Sequence, residues 1–342
     1  MNYIPKNIII SRTDSIGDVI LTLPVAKVLK DFFPGIKIGF IGRPYTKPVI
    51  NACKYVDEFI DISDFLNKEN LCVCNEKPAA ILHVFPVSAI AKKAKQLAIP
   101  LRIGTTNRLY HWLTCNKLVK LSRKNSTLHE AQLNLLLLEP LGIKKIFSLE
   151  EIAGSFGLEK IEPLLPEFSQ LLHPEKFNLI LHPKSQGSAR EWGIDNFISL
   201  IRSLDMERYQ IFISGTEKEH VLLLPLLAAV GDKVIDISGK IGLDQFISFI
   251  NHCDGLVANS TGPLHIAAAL NKYAFGIFAP MRPIHPGRWA PVGKKAKFFV
   301  LNKECTDCRN NKIPCHCIKE VPPAWIKEAL DKACVNMKFS NL

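Results

Sequence analysis

The sequence predicts an α/β chain built as two Rossmann-like halves, each a parallel sheet covered by helices, facing one another across a cleft. Three observations predict it. Short apolar strands alternate with amphipathic helices along most of the 342 residues, the pattern that places helices on both faces of a parallel sheet. The alternation breaks over 144–176, where Pro163, Pro166 and Pro174 stand among irregular polar residues, as in a connection between domains. Each half also has a strand-to-helix turn rich in small polar residues, at the carboxyl ends of strands, where open α/β sheets bind ligands. The expected division is an N-terminal Rossmann-like domain over 1–150, a linker over 151–175, a C-terminal Rossmann-like domain over 176–320, and a last segment over 321–342 that packs back across the hinge.

The elements follow in order. Residues 7–10 form a strand, 11–15 a polar turn, and 17–33 an amphipathic helix that Pro34 and Gly35 end. Strands are expected at 36–41, 58–62 and 79–85, a helix at 89–97, and a helix at 129–138 closed by Pro140 and Gly142. After the linker come strand 178–181, helix 194–204, strand 210–213, helix 219–229, strand 234–236, helix 243–251, strand 255–258, helix 263–270 and strand 274–278. The final helix, 323–332, opens on two prolines, which an early helical position tolerates. No repeat of solenoid period occurs.

The strongest apolar run, 221–230, is about half the length of a membrane span and contains Pro225. The first residues carry no leader-like pattern of charge followed by an apolar stretch, so a cytoplasmic protein is expected. The net charge of +11 is concentrated. Between Glu76 and Glu130 no acid occurs, while ten basic residues do: Lys77, Lys92, Lys93, Lys95, Arg102, Arg108, Lys117, Lys120, Arg123 and Lys124. Most such runs are solvated faces. One this one-sided, interleaved with Leu109, Tyr110, Trp112 and Leu113, suits an anionic surface. No RRM or KH signature is present, so the expected partner is the inner face of the cytoplasmic membrane and not nucleic acid.

Cys53, Cys72, Cys74, Cys115, Cys253 and Cys334 are scattered among apolar residues and read as reduced thiols. Cys305, Cys308, Cys315 and Cys317 are clustered with His316 among them. They could hold a structural zinc, but their spacing departs from zinc ribbons, and a cysteine-rich loop without metal is the simpler reading.

The chemistry gathers at strand ends. Asn259, Ser260, Thr261, Gly262, Pro263, Leu264 and His265 lead from a strand into an Ala-rich helix. Hydroxyls and an unhindered Gly262 amide lie where a helix leaves N–H groups unpaired, which suits a phosphate or diphosphate, although such residues are also ordinary N-caps. After residue 181 come His182, Lys184, Ser185, Arg190 and Trp192, the lysine and arginine supplying charge for a diphosphate. Glu217, after Gly215 and Thr216, could accept hydrogen bonds from ribose hydroxyls or act only as a helix N-terminal charge. In the other half, Ser15, Gly17 and Asp18 enter the first helix. The aligned N–H groups there stabilise the negative charge of Asp18, which suits a general base for an acceptor hydroxyl as well as a simple helix-dipole residue. No acidic pair in a metal-binding context accompanies these loops, so a leaving diphosphate would be met by side-chain cations and helix N-termini, and no cofactor is expected.

Several of these motifs together resemble glycosyltransferase family 9, the ADP-heptose:lipopolysaccharide heptosyltransferases. They are Ser15-Ile-Gly17-Asp18-Val19 with Thr22-Leu-Pro24, His182-Pro with Arg190-Glu-Trp192, Gly215-Thr-Glu217, and Asn259-Ser-Thr-Gly262-Pro-Leu-His265-Ile-Ala-Ala, in family order across most of the chain. The resemblance implies a GT-B fold and inverting, metal-independent transfer of heptose or a related sugar from an ADP-sugar to a lipopolysaccharide core precursor. It implies Asp18 as general base, Arg190 as phosphate contact, Glu217 as ribose contact and 261–265 as the diphosphate loop. With Lys184, Ser185, Asn259 and Ser260 these make the expected donor set. Ser15, Gly17, Lys92, Lys93 and Arg108 make the expected acceptor set. The chain departs from the family pattern at Ser260, commonly Asp, and at Gly193, often Pro. A sugar-nucleotide epimerase of the same architecture and a non-catalytic nucleotide-sugar binding protein are the alternatives. The first would need further acid–base residues near the sugar, and the second does not need Asp18.

Overall fold

The computed structural model describes residues 5–185, 187, 189–282, 284–303 and 316–340. The chain divides into two compact units, Met1–Ile161 and Glu162–Leu342.

Unit 1 holds a six-stranded parallel sheet: β1 (Asn7–Ser11), β2 (Lys37–Gly42), β3 (Glu58–Asp61), β4 (Ala80–His83), β5 (Leu101–Thr105) and β6 (Lys117–Val119), in the order β3-β2-β1-β4-β5-β6. β1 is buried along its whole length and pairs with β2 and β4, Ser11 standing opposite His83. Chain direction across the sheet reverses between β1 and β4, so the loops that leave these two strands flank the topological switch point. Ile9, Ile81, Ile90 and Ala94 belong to the core on one face of this sheet.

Unit 2 repeats the plan with β7 (Phe177–His182), β8 (Tyr209–Ile213), β9 (Ile235–Asp236), β10 (Gly255–Asn259), β11 (Tyr273–Ile277) and β12 (Ala296–Phe299). Their order, β12-β11-β10-β7-β8-β9, is the same arrangement read from the other edge. Its switch point lies between β7 and β10, with His182 opposite Ala258.

Three strands were not expected. β5 contains Arg102 and Gly104, β6 is three residues long, and β12 carries Lys297, so none shows the apolar run that marks an interior strand. The first helix is two, Ile16–Ile20 and Leu23–Phe32. They part at Thr22, whose hydroxyl donates to the Asp18 carbonyl at 2.8 Å, just before Pro24, which has no N–H to continue the ladder.

The stretch expected as an irregular linker is shared between the units. Helix Leu149–Ala153 is fixed by a Ser148/Glu151 capping box, and Phe156 and Leu158 are buried, Leu158 bridging to Cys53. Beyond it, the Leu165 amide donates to Gln245 at 2.9 Å in unit 2. The last helix runs Pro323–Ser340, and Ile326, Ala329, Leu330 and Ala333 join the core of unit 2 against helix Ile194–Ser203.

Candidate functional site

At the switch point of unit 2, two loops are tied together by one side chain. Asn259, fully buried at the end of β10, donates from Nδ2 to the Pro183 carbonyl at 2.8 Å and accepts the Trp192 amide on Oδ1 at 2.9 Å. Trp192 is itself buried, and its indole N–H donates to the Val321 carbonyl at 2.8 Å. Gly193 follows with φ +99°, which a proline fixed near −65° cannot adopt, so this departure from the family pattern has a backbone cause.

With Asn259 engaged in this way, helix Gly262–Ala269 begins without a side-chain cap. Thr261 occupies the N-cap position in extended conformation, yet its Oγ1 is buried and has no hydrogen-bond partner among the described residues. An ordinary cap would use that oxygen to accept from the first turn. A buried, unused hydroxyl beside helix N–H groups that have no intrahelical partner suits an anion's oxygens. The neighbouring loop supplies charge: Lys184 pairs with Glu191, which also accepts from the Ser185 amide at 3.1 Å. Arg190, partly exposed, makes no hydrogen bond or ion pair among the described residues.

At the edge of this region, Glu217 is exposed in the first turn of helix Glu217–Val230. Capping there is done by Thr216 with Glu219, whose Oε2 accepts from the Thr216 amide at 2.8 Å, so the Glu217 carboxylate is left for another partner. Gly239 has φ +72°, and a Cβ there would stand 3.0 Å from the Glu217 Cα, so only glycine lets these loops approach. His182 is buried against Ser214 at 3.0 Å, and burial pushes its pKa down.

The switch point of unit 1 is organised by Arg12, a residue the sequence reading passed over. Arg12 is buried, and its guanidinium donates to Asp14 at 2.7 Å, to Glu130 at 3.0 Å, to Asn134 at 3.3 Å and to Asp18. Glu130, also buried, accepts from Arg123 at 2.9 Å, and Arg123 bonds Asn134 at 3.0 Å and the Val84 carbonyl at 3.1 Å. Asn134 donates onward to the Leu21 carbonyl and the Thr22 hydroxyl. Ser15 donates its hydroxyl to the second oxygen of Asp18. The carboxylate of Asp18, 15% exposed, is thereby held from both sides at the mouth of the loop. Burial raises Asp14 to about 6, against the lowering effect of Arg12.

The sequence profile of glycosyltransferase family 9 (heptosyltransferase) matches residues 115–319. The chain belongs to this family. Among its relatives, a Haemophilus influenzae protein provisionally named a glycosyltransferase is 24% identical over 309 residues, covering 86% of this chain and 89% of that one. Lipopolysaccharide heptosyltransferase 2 of Escherichia coli is 31% identical over 119 residues, about a third of each chain. Two solved structures share the fold: a glycosyl transferase family 9 protein from Veillonella parvula, with TM-score 0.76, 18% identity and coverage of 98% and 99%, and E. coli ADP-heptose lps heptosyltransferase II, with TM-score 0.74, 19% identity and coverage of 97% and 99%. The fold is GT-B, two parallel six-stranded sheets in one chain, and the protein is a glycosyltransferase.

Within this family 9 chain the expected donor residues divide into two kinds. Lys184, Ser185, Arg190, Ser260, Thr261, Gly262 and His265 lie on the loops and helix start at the switch point of unit 2, with Glu217 at the start of the adjoining helix. Asn259 is there too, but its amide is engaged with protein and positions the loops. Of the acceptor set, Ser15 and Gly17 stand with Asp18, whereas Lys92 and Lys93 lie on helix Ser88–Gln96 and Arg108 precedes helix Leu109–Thr114. Among the described residues no hydrogen bond or ion pair joins these three to Asp18. The basic segment is also less free than its composition suggests: Arg123 serves Glu130, and Arg102 donates to the Thr114 carbonyl at 2.7 Å.

Glu191, Glu130 and Asn134 were missed as well. Cys305, Cys308 and Cys315 lie outside the described residues. Cys53, Cys72, Cys74, Cys115, Cys253 and Cys334 are free thiols, and Cys317 lies on helix His316–Lys319. Among the described residues no helix is long and apolar enough to cross a membrane.

Proposed function

We propose that this glycosyltransferase moves heptose or a related sugar from an ADP-sugar to a lipopolysaccharide core precursor, in the cytoplasm at the inner face of the membrane. The observation that carries the donor half is the buried, unpartnered Thr261 hydroxyl at the uncapped start of helix Gly262–Ala269. The diphosphate would be held by that hydroxyl, the Gly262 amide and Arg190, and the ribose by Glu217. Relatives named as lipopolysaccharide heptosyltransferases, and a solved E. coli heptosyltransferase bearing ADP, support ADP-heptose as the first donor to test.

In the reaction, Asp18 removes the proton of the acceptor hydroxyl as that oxygen bonds to the anomeric carbon and the bond from carbon to the diphosphate oxygen breaks. Inversion follows from attack opposite the leaving group. Negative charge arriving on ADP is met by Arg190, Lys184 and the helix N–H groups, so the reaction needs no metal ion or other cofactor. Arg12 and Ser15 keep Asp18 aimed before the acceptor arrives.

The test is thermal: ADP and ADP-heptose should raise the Tm of the purified chain, by an amount equivalent to about 2.7 kcal/mol at a hundred times Kd. Transfer should survive EDTA. Failure of ADP compounds to stabilise while UDP- or GDP-sugars do would sink the donor assignment, and activity lost to EDTA and restored by Mg2+ would sink the metal-free mechanism.

A further inference from the structure

Helix Leu109–Thr114 is amphipathic the wrong way round. Its inward positions are His111 and Thr114, both buried, whereas Leu109, Trp112 and Leu113 are 88%, 60% and 75% exposed. An apolar stripe at i, i+3 and i+4 ordinarily faces a core. Here the same spacing faces outward. The indole N–H of Trp112 donates to the Thr106 carbonyl at 3.1 Å, so the ring can leave water without stranding a donor.

The surroundings of this stripe are cationic. Helix Ser88–Gln96 packs beside it, and Lys95 donates to the Leu113 carbonyl at 2.9 Å. Lys92, Lys95, Arg108 and Lys117 are exposed, and no acidic residue occurs between Glu76 and Glu130. Two leucines and a tryptophan in a ring of lysine and arginine match an anionic bilayer at both depths, hydrocarbon for the stripe and headgroups for the cations. A second copy of the chain would bring the same positive charges face to face, which opposes pairing through this surface.

We propose that helix Leu109–Thr114 is a membrane wedge, its apolar stripe entering the anionic inner leaflet while the adjacent basic helix lies on the headgroups. The inference deepens the proposed function and rests on its reading of the acceptor as a lipid-anchored saccharide. It also changes the nature of the docking: attraction by charge alone would vanish in salt, whereas burial of the stripe persists.

The experiment is flotation of the full chain with phosphatidylcholine vesicles, and with vesicles in which a third of the lipid is phosphatidylglycerol, read together with quenching of tryptophan emission by brominated acyl chains. The chain should float with the anionic vesicles, and bromine should quench an emission that Trp112→Phe removes. Replacing Leu109, Trp112 and Leu113 together by Ser should weaken binding on the order of a hundredfold, and Lys92→Glu with Lys95→Glu should remove its salt-sensitive part. Stabilisation by ADP, measured on every variant, reports the donor reading separately. Loss of that stabilisation in the unaltered chain would count against the proposed function, while vesicle binding still decides the wedge. Equal flotation with neutral and anionic vesicles, unquenched Trp112, or undiminished binding by the triple variant would overturn the proposal. So would a dimer of the unaltered chain, seen in sedimentation, that the triple variant dissolves.

Discussion

The loops that leave β1 and β10 each flank the switch point of a sheet with the same strand order, yet their polar groups are treated in opposite ways. In unit 1, Arg12 binds Asp14, Asp18, Glu130 and Asn134, and the loop is saturated by its own side chains. In unit 2, the side chain that could cap the helix has no partner, and a charged neighbour, Arg190, makes no ion pair among the described residues. A group that must be aimed before substrate arrives needs fixed partners. A group that receives a charged substrate must keep its hydrogen-bonding capacity unused until then. In the proposed function the same scaffold would serve both purposes, and what distinguishes the two loops is where their hydrogen bonds go.

The contrast can be broken at either end. Asp18→Asn should lower turnover by about a hundred- to ten-thousandfold with ADP-sugar affinity nearly unchanged, since the amide keeps the shape but takes no proton. Comparable turnover by this variant would remove Asp18 from the mechanism. Glu130→Gln leaves Arg12 and Arg123 with too little negative charge in a buried network, and stability should fall by about 3–5 kcal/mol in denaturant titration. A midpoint that does not move would mean the network is ornamental.

Thr261→Val is the sharper test of the open loop. Removing a buried hydroxyl with no partner should leave the ligand-free Tm unchanged or higher, while ADP affinity falls about tenfold or more. If Thr261 were merely a cap, the variant would instead lose about 1 kcal/mol of stability and bind ADP normally.

The smallest effect is on pH dependence. Burial pushes His83 down to about 3 from 6.5, so its neutral form stabilises the fold above about pH 6.5 and that contribution is lost as pH falls toward 3. Asp14, raised by burial to about 6 from 3.8, acts in the opposite sense, losing stability as pH rises through that window. Melting curves between pH 4 and 7 should therefore flatten on the acid side in His83→Leu and steepen in Asp14→Asn. Identical slopes in all three proteins would remove both residues from the linkage.

Much of this was legible in the sequence because it is local. The strands around both switch points are short apolar runs, and the residues from Asn259 to His265 and from Ser15 to Asp18 are contiguous. What escaped was set by distance or by disguise. Arg12 and Glu130 are 118 positions apart, and no periodicity links them. The available signal was a lone arginine directly after a buried strand, followed by Asp14 and Asp18. Glu191 was hidden between two residues singled out for other reasons, Arg190 and Trp192. β5 and β6 were hidden because Arg102 and Lys117 were counted as part of a charged surface.

The indole hydrogen bond from Trp192 to Val321 has a practical consequence at the far end of the chain. The backbone amide of the same tryptophan holds Asn259, so the segment leading into the last helix is two hydrogen bonds from the anion loop although more than sixty positions separate Val321 from Asn259 in sequence. Trimming the carboxyl-terminal helix, or attaching a tag that pulls it away, should therefore disturb the proposed seat of the nucleotide. Protein prepared for ligand screening should keep that helix intact.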